Sequence, residues 1–109
     1  STEEPVSLAD QLVRNPAAVL PTRIQVDTMG YLSAVVRNPT DVTVTNVFIV
    51  VMHINEETGQ PDKQSNPIRV TNRLTPGYAA SVKIPGIQVY KKADFDRYKA
   101  IVIRAEPVR

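Results

Sequence analysis

The chain has 109 residues and no cysteine, with 42% hydrophobic residues, 22% charged residues and a formal net charge of +2. This length fits one domain with a single core, and the composition is that of a globular protein rather than a disordered one. No disulfide or thiol chemistry is available, and so small a net charge does not by itself indicate a nucleic-acid or membrane surface. Composition leaves the compartment open, because chains without cysteine occur in the cytosol and in the cell envelope.

The amino-terminal residues 1–21 differ in pattern from the rest and are predicted to form a short helix or a linker. Ser7 is a candidate N-cap, and Leu8, Leu12 and Val13 form a short apolar stripe. The chain starts with serine and shows no basic-then-apolar signal, so we expect a domain cut from a longer protein, with a processed mature form as the alternative. No apolar run approaches the roughly 20 residues that a membrane-spanning helix needs.

From Thr22 onward the hydrophobic period changes to two, which is typical of strands with one buried face. Such segments follow each other between turns rich in Pro, Gly and Asn, at residues 22–27, 30–38, 42–55, 68–71, 78–84, 87–89 and 100–104. About seven short strands predict an all-β, immunoglobulin-like antiparallel sandwich over residues 22–109, because two sheets are needed to bury one face of each. A helical turn at 92–98 is expected to carry Phe95 and Tyr98 into one end of the core.

The longest predicted strand, residues 42–55, is apolar on both faces in its middle. Strict alternation assigns one set of side chains to the core: Val42, Val44, Asn46, Phe48, Val50, Met52 and Ile54. It assigns Val47, Ile49, Val51 and His53 to the outer face, and these four are our candidate binding residues. A strand that is apolar on both faces must be covered on both. The amino-terminal helix and the surface of a second protein remain the two possible covers.

The order of strands and turns resembles the bacterial FxLYD-type family of immunoglobulin-like domains. The resemblance covers about half of the chain and depends on Gly30, the turn Asn38-Pro39-Thr40, the aliphatic run 47–54, Gly59 and Leu74-Thr75-Pro76-Gly77. Where that family has Leu-Tyr-Asp, this chain has Ile54-Asn55-Glu56, and residues 1–21 and 92–98 have no counterpart in it. The resemblance implies an extracytoplasmic, non-catalytic accessory domain of a bacterial surface or envelope protein, in the periplasm or cell envelope.

Catalytic and metal-binding patterns are weak, and we predict no catalytic residue, no metal site and no cofactor. His53 is the one histidine, so it lacks the second histidine or cysteine of a usual zinc site and is expected to be a half-exposed strand residue. The acid pairs Glu56-Glu57 and Asp94-x-Asp96 match no calcium loop and fit a solvated turn and a helix start. The four glycines are too far apart to form a phosphate-binding loop.

A basic and aromatic group near the carboxyl end raises a nucleic-acid alternative. It comprises Lys91, Lys92, Arg97 and Lys99 with Tyr90, Phe95 and Tyr98. Two aspartates interrupt it and the net charge gives little long-range attraction, so we expect no nucleic-acid partner.

The sequence therefore predicts a non-catalytic accessory domain that mediates protein contacts or positions a neighbouring domain, with a homo-oligomer as one possibility. The alternative is a carbohydrate or small-ligand module, which two tyrosines exposed on one surface would favour. An enzyme would be favoured by a deep polar pocket that combines His53 with acidic partners.

Overall fold

The structure is a computed structural model that describes residues 8–108, with side chains described from Asp10 onward. Its helices are α1 (Leu8–Arg14), α2 (Pro16–Val19) and α3 (Lys92–Phe95). Its strands are β1 (Thr22–Val26), β2 (Tyr31–Arg37), β3 (Val44–Ile54), β4 (Pro61–Gln64), β5 (Ile68–Leu74), β6 (Ala79–Gln88) and β7 (Tyr98–Pro107). The prediction of an all-β antiparallel sandwich with about seven strands and a short amino-terminal helix is confirmed.

The strands form two antiparallel sheets. Strands β1, β2 and β6 make a three-stranded sheet in the order β1-β2-β6. Strand β3 is the centre of a four-stranded sheet: β7 pairs along one of its edges, and β4 and β5 share the other. One core lies between the sheets, and its largest fully buried side chains are Leu12, Leu20, Leu32, Ile49 and Ile84.

Strand β3 contains a β-bulge at Asn46. This residue has a positive φ of 51°, a conformation that asparagine tolerates better than most residues. Thr45 lies opposite Glu106 and Phe48 lies opposite Arg104, so β3 takes three steps where β7 takes two. One extra residue on one strand sends all later side chains to the opposite face.

The bulge corrects the predicted assignment of the faces of β3. Val44 lies in the core, as strict alternation predicts, but after Asn46 the inward side chains are Val47, Ile49 and Val51. The predicted core face is therefore wrong beyond the bulge. Four side chains assigned to it lie outside the core cluster: Phe48, Val50, Met52 and Ile54.

The amino-terminal helices pack onto β7 and supply part of the core. Leu12 is fully buried in the cluster that contains Ile49, so the helical segment helps to close the core rather than to cover the outer face of β3. Val13, expected in the same stripe, is exposed. The predicted N-cap Ser7 and the side chain of Leu8 lie outside the described residues.

The turn before β3 and the corner after β5 are joined by a buried polar network around Asn38. Its side-chain amide donates hydrogen bonds to the carbonyl oxygens of Val42 (2.8 Å) and Leu74 (3.0 Å). Its Oδ1 accepts hydrogen bonds from the Thr40 hydroxyl (2.6 Å) and the Thr40 backbone N–H (3.1 Å). Two sequence features that support the family resemblance, the Asn-Pro-Thr turn and the corner that begins at Leu74, therefore meet in space.

Strand bounds differ from the predictions at the carboxyl half of the chain. Strand β4 was not predicted, because all its residues are exposed and it has no alternating pattern. The predicted strand at 87–89 instead continues β6, and β7 extends beyond the predicted 100–104 at both ends. Helix α3 carries Phe95 against the core and Tyr98 follows it there, as predicted. Among residues 8–108, no helix has the length and apolar character needed to cross a bilayer.

Candidate functional site

Three of the four predicted binding residues are inside the sandwich. The exposed fractions of Val47, Ile49 and Val51 are 0%, 0% and 3%. Their assignment to an outer face is wrong, because the bulge at Asn46 turns them inward. No partner can reach these side chains in this fold. The fourth residue, His53, is half-buried near the end of β3.

The outer face of β3 is formed by residues that strict alternation assigns to the core. Strand pairing places Phe48 beside Arg69 and Arg104, Val50 beside Ile101, and Met52 beside Gln64 and Lys99. Residues directly opposite each other in an antiparallel pair share one face of the sheet. We call the apolar members of this face, together with the exposed Ile103 of β7, the apolar strip: Phe48, Val50, Met52, Ile101 and Ile103. Ile103 lies at a second register shift, between Val102 opposite Ile49 and Arg104 opposite Phe48, and has no partner of its own on β3.

The apolar strip combines buried and accessible side chains. Val50 lies outside the core cluster, yet only 3% of it is exposed, so its neighbours on the outer face cover it. Ile101, which lies opposite Val50, is 37% exposed, and Ile103 on the same strand is 42% exposed. Single exposed aliphatic side chains are ordinary, whereas a contiguous group on a flat sheet is typical of a contact surface.

Four cations flank the apolar strip, and we call them the cationic rim: Arg69, Arg73, Lys99 and Arg104. The guanidinium carbons of Arg69 and Arg104 lie 5.1 and 5.9 Å from the ring centroid of Phe48, one from each neighbouring strand. Cation–π contacts of this kind hold the long side chains against the ring and keep their charged ends at the surface.

One carboxylate partly neutralises the cationic rim. Glu106 Oε1 accepts a hydrogen bond from Arg104 Nη2 at 2.8 Å, and its Oε2 accepts one from the Asn46 amide at 3.0 Å. The Asn46 hydrogen bond, followed by the Arg104 contacts, holds the pKa of Glu106 below its ordinary value of 4.5. Among the described side chains, the salt bridge to Arg104 is the one ion pair in the rim. The outer face therefore carries an excess of positive charge.

The outer face of the three-stranded sheet is different in character. Pairing places Arg23, Arg37 and Lys83 on it, with Lys83 Nζ 4.8 Å from the ring centroid of Tyr31. The other described residues that pairing places on it are mostly small or polar, and Val35 is the one aliphatic side chain larger than alanine among them. It is therefore cationic without an apolar strip, which makes it a matched control surface for the outer face of the other sheet.

His53 lies in a small polar cluster. Its Nδ1 is 2.7 Å from Asp62 Oδ1, and its ring makes an edge contact with Tyr98 at 5.1 Å between centroids. The hydrogen bond with His53 is the main cause that lowers the pKa of Asp62 from its ordinary value of 3.8. Nearby, Arg97 pairs with Glu56.

The cluster lines a depression of about 260 Å³ on the surface. Its lining residues are His53, Asn55, Glu56, Glu57, Asp62 and Arg97. The structure thus brings histidine and acids together, as an enzyme would require. The lining offers no serine, threonine, cysteine or lysine as a nucleophile. His53 and Asp62 are hydrogen-bonded to each other, and Arg97 is paired with Glu56. Within residues 8–108, no three histidine or acidic side chains are arranged to hold a metal ion.

The two exposed tyrosines do not share a surface. Tyr78 immediately precedes β6 and Tyr90 follows it, so they lie beyond opposite ends of a strand that spans about 20 Å along its partner β2. A cleft of about 450 Å³ beside Tyr90 is lined by Lys91, Lys92 and Phe95 among others, which are also members of the predicted basic and aromatic group. The paired aromatic platform expected of a carbohydrate module is therefore not formed by Tyr78 and Tyr90.

Sequence reasoning identified the correct strand but missed the apolar strip and the cationic rim. The available signal was Asn46, a polar residue inside an aliphatic run and one that favours positive φ. Reading it as a bulge would have reversed the two faces and selected Phe48, Val50 and Met52. The role of Ile101 and Ile103 could not be read from the local pattern, because it depends on which strand lies beside β3.

No family model matches the chain, and neither does any curated protein sequence or solved structure. The function is therefore inferred from the structure of residues 8–108 itself.

Proposed function

We propose that this chain is a non-catalytic accessory β-sandwich domain that makes protein–protein contacts through the outer face of its four-stranded sheet. The observation that carries the proposal is the apolar strip between cations, with Ile101 and Ile103 open to solvent. A surface that is apolar at its centre and polar at its border is the usual arrangement of a protein interface, with arginine favoured there.

The sandwich suits this task because it holds the surface rigid. Strand β3 is hydrogen-bonded along both of its edges, so the apolar strip is centred on a strand that is held from both sides. A pre-formed surface loses little conformational entropy on binding. His53 is hydrogen-bonded to Asp62 and Arg97 is paired with Glu56, which supports a structural role for that cluster.

The resemblance to FxLYD-type domains supports a proposal about the parent protein and its location. In this proposal the domain is part of a larger bacterial envelope protein, in the periplasm or at the cell surface, and positions a neighbouring domain or captures a partner. Short alternating strands and the two turns that meet at Asn38 are the features that favour it.

Site-specific photocrosslinking in the producing cell tests the proposal. A photoreactive phenylalanine analogue is placed at Ile101, and at Ser81 on the outer face of the three-stranded sheet as a matched control. We expect a discrete crosslinked product from position 101 and none from position 81. Equal products from both positions, or none from position 101, would contradict the assignment of the face.

A further inference from the structure

We infer that the partner presents a short amphipathic helix with a row of apolar side chains bordered by aspartate or glutamate. This inference rests on the proposed function and names the chemistry of the partner. It depends on three properties of the outer face: its dimensions, the state of its backbone hydrogen bonds and its charge.

The apolar strip has the dimensions of one helix. From Phe48 to Met52 it runs about 13 Å along β3, which corresponds to about nine residues of helix. The strands that carry Arg69 and Arg104 are two inter-strand spacings apart, which is about 10 Å and close to the diameter of a helix. One helix of two to three turns therefore fills the strip and brings its two flanks next to the cations.

The backbone of this face favours a helix over an extended segment. Strand β3 has pairing strands along both edges, so it offers no free backbone groups to an added strand at the strip. An extended segment laid flat on the face would leave its own N–H and C=O groups without partners. A helix satisfies these groups internally and buries only side chains.

Charge selects an acidic partner and disfavours a second copy of this chain. Among the described side chains that strand pairing places on this face, Arg69, Arg73, Lys99 and Arg104 are cations and Glu106 is the one carboxylate. In a two-fold dimer through this face, the same cations would face each other, which is repulsive. Carboxylates on the flanks of a helix instead pair with the guanidinium groups held over Phe48.

The position of the strip on a sheet, rather than on a loop, favours a protein over a lipid surface. Val50 is covered, and the exposed aliphatic side chains Ile101 and Ile103 belong to a strand within the sheet rather than to a protruding loop. Insertion into a bilayer needs an apolar face buried about 5–10 Å into the headgroup boundary. If this face entered a bilayer, the guanidinium groups beside Phe48 would have to enter the headgroup boundary together with the apolar side chains.

Two synthetic peptides of about 16 residues test the inference, since shorter helices are unstable alone. Both carry leucine at helical spacing; one has glutamate on the flanks of the leucine row and the other has lysine. Binding is followed by amide chemical shifts of the ¹⁵N-labelled domain at low and high salt. We expect the glutamate peptide to shift residues of β3, β5 and β7, with affinity at least about tenfold above that of the lysine peptide and reduced by salt.

Paired charge reversals provide the matched control. Arg69→Glu with Arg104→Glu should lower the affinity for the glutamate peptide at least about tenfold and raise that for the lysine peptide. Arg23→Glu with Arg37→Glu changes the same charge on the opposite sheet and should leave the shifts on β3 unchanged.

Three results would overturn the inference: equal binding of both peptides, shifts confined to the other sheet, or no binding of the glutamate peptide. Sedimentation of the domain with phosphatidylglycerol vesicles, if abolished by Arg69→Glu with Arg104→Glu, would assign the face to a lipid surface instead. A crosslink from position 101 together with failure of the glutamate peptide would leave the proposed function in place and refute the acidic helix alone.

Discussion

Replacing Ile49 by lysine should unfold the domain, whereas the same replacement at Ile101 should leave it folded. Ile49 has no exposed surface, and it lies in the core cluster with Leu12 and Val102. Removing its side chain from the core loses about 1.5–3 kcal/mol of hydrophobic stabilisation. Burying an ammonium group without a partner costs several kcal/mol more. The total, at least about 5 kcal/mol, reaches the range of 5–15 kcal/mol that is typical for the stability of a whole domain.

Ile101 provides the matched control because it lies on the neighbouring strand, with its side chain on the other side of the sheet. At 37% exposure its lysine ammonium can stay in water, so we expect a change within about 1 kcal/mol. Urea unfolding followed by far-ultraviolet circular dichroism compares the two variants, and an amide correlation spectrum reports whether each one is folded. If Ile49→Lys keeps a dispersed spectrum and a midpoint near that of Ile101→Lys, the described faces of β3 are the wrong way round.

Three further predictions concern the bulge, the buried turn and the histidine cluster. Asn46→Val should destabilise the domain by about 1–2 kcal/mol more than Asn46→Gly in urea unfolding, because a β-branched residue is strained at φ 51° and glycine is not. Asn38→Ala should cost at least about 2 kcal/mol in the same assay, since it leaves the buried carbonyl oxygen of Leu74 without its side-chain donor and the buried N–H of Thr40 without its acceptor; a loss below about 0.5 kcal/mol would contradict the described network. In a carboxyl NMR titration, Asp62 should have a pKa below 3.8 that returns towards 3.8 in His53→Phe. A lowered pKa in the folded state stabilises the fold above the ordinary value, so the stability that this pair contributes should be lost as the pH falls through the pKa of folded Asp62.

The sequence was a good guide to the strands and a poor guide to which face of the longest one is buried. Period-two patterning located six of the seven strands, because hydrophobic alternation is strong wherever one face is covered. It missed β4, which is polar throughout and is held by its pairing with β3 rather than by burial. The face of β3 was wrong because alternation assumes a regular pleat, and the φ of Asn46 breaks that assumption.

The candidate site was predictable only in outline. That the strand 42–55 has two apolar faces is visible in the sequence, and so is the need for a cover. The cationic rim was not visible, because Arg69, Lys99 and Arg104 are far apart in the chain and become neighbours through pairing with β3. A formal charge of +2 likewise conceals how the charges are distributed, since many acids lie in turns while both outer faces carry cations.

Because β3 has one extra residue at the bulge, the number of residues in this strand decides which of its side chains face the core and which face solvent. Deleting one residue between Thr45 and Val47 would send the aliphatic side chains now in the interior out to solvent and draw Phe48 inward. A conservative replacement along this strand changes one side chain, whereas a single insertion or deletion near the bulge would exchange the two faces of β3 beyond it. Evolution of this strand is therefore expected to proceed by substitution at constant length.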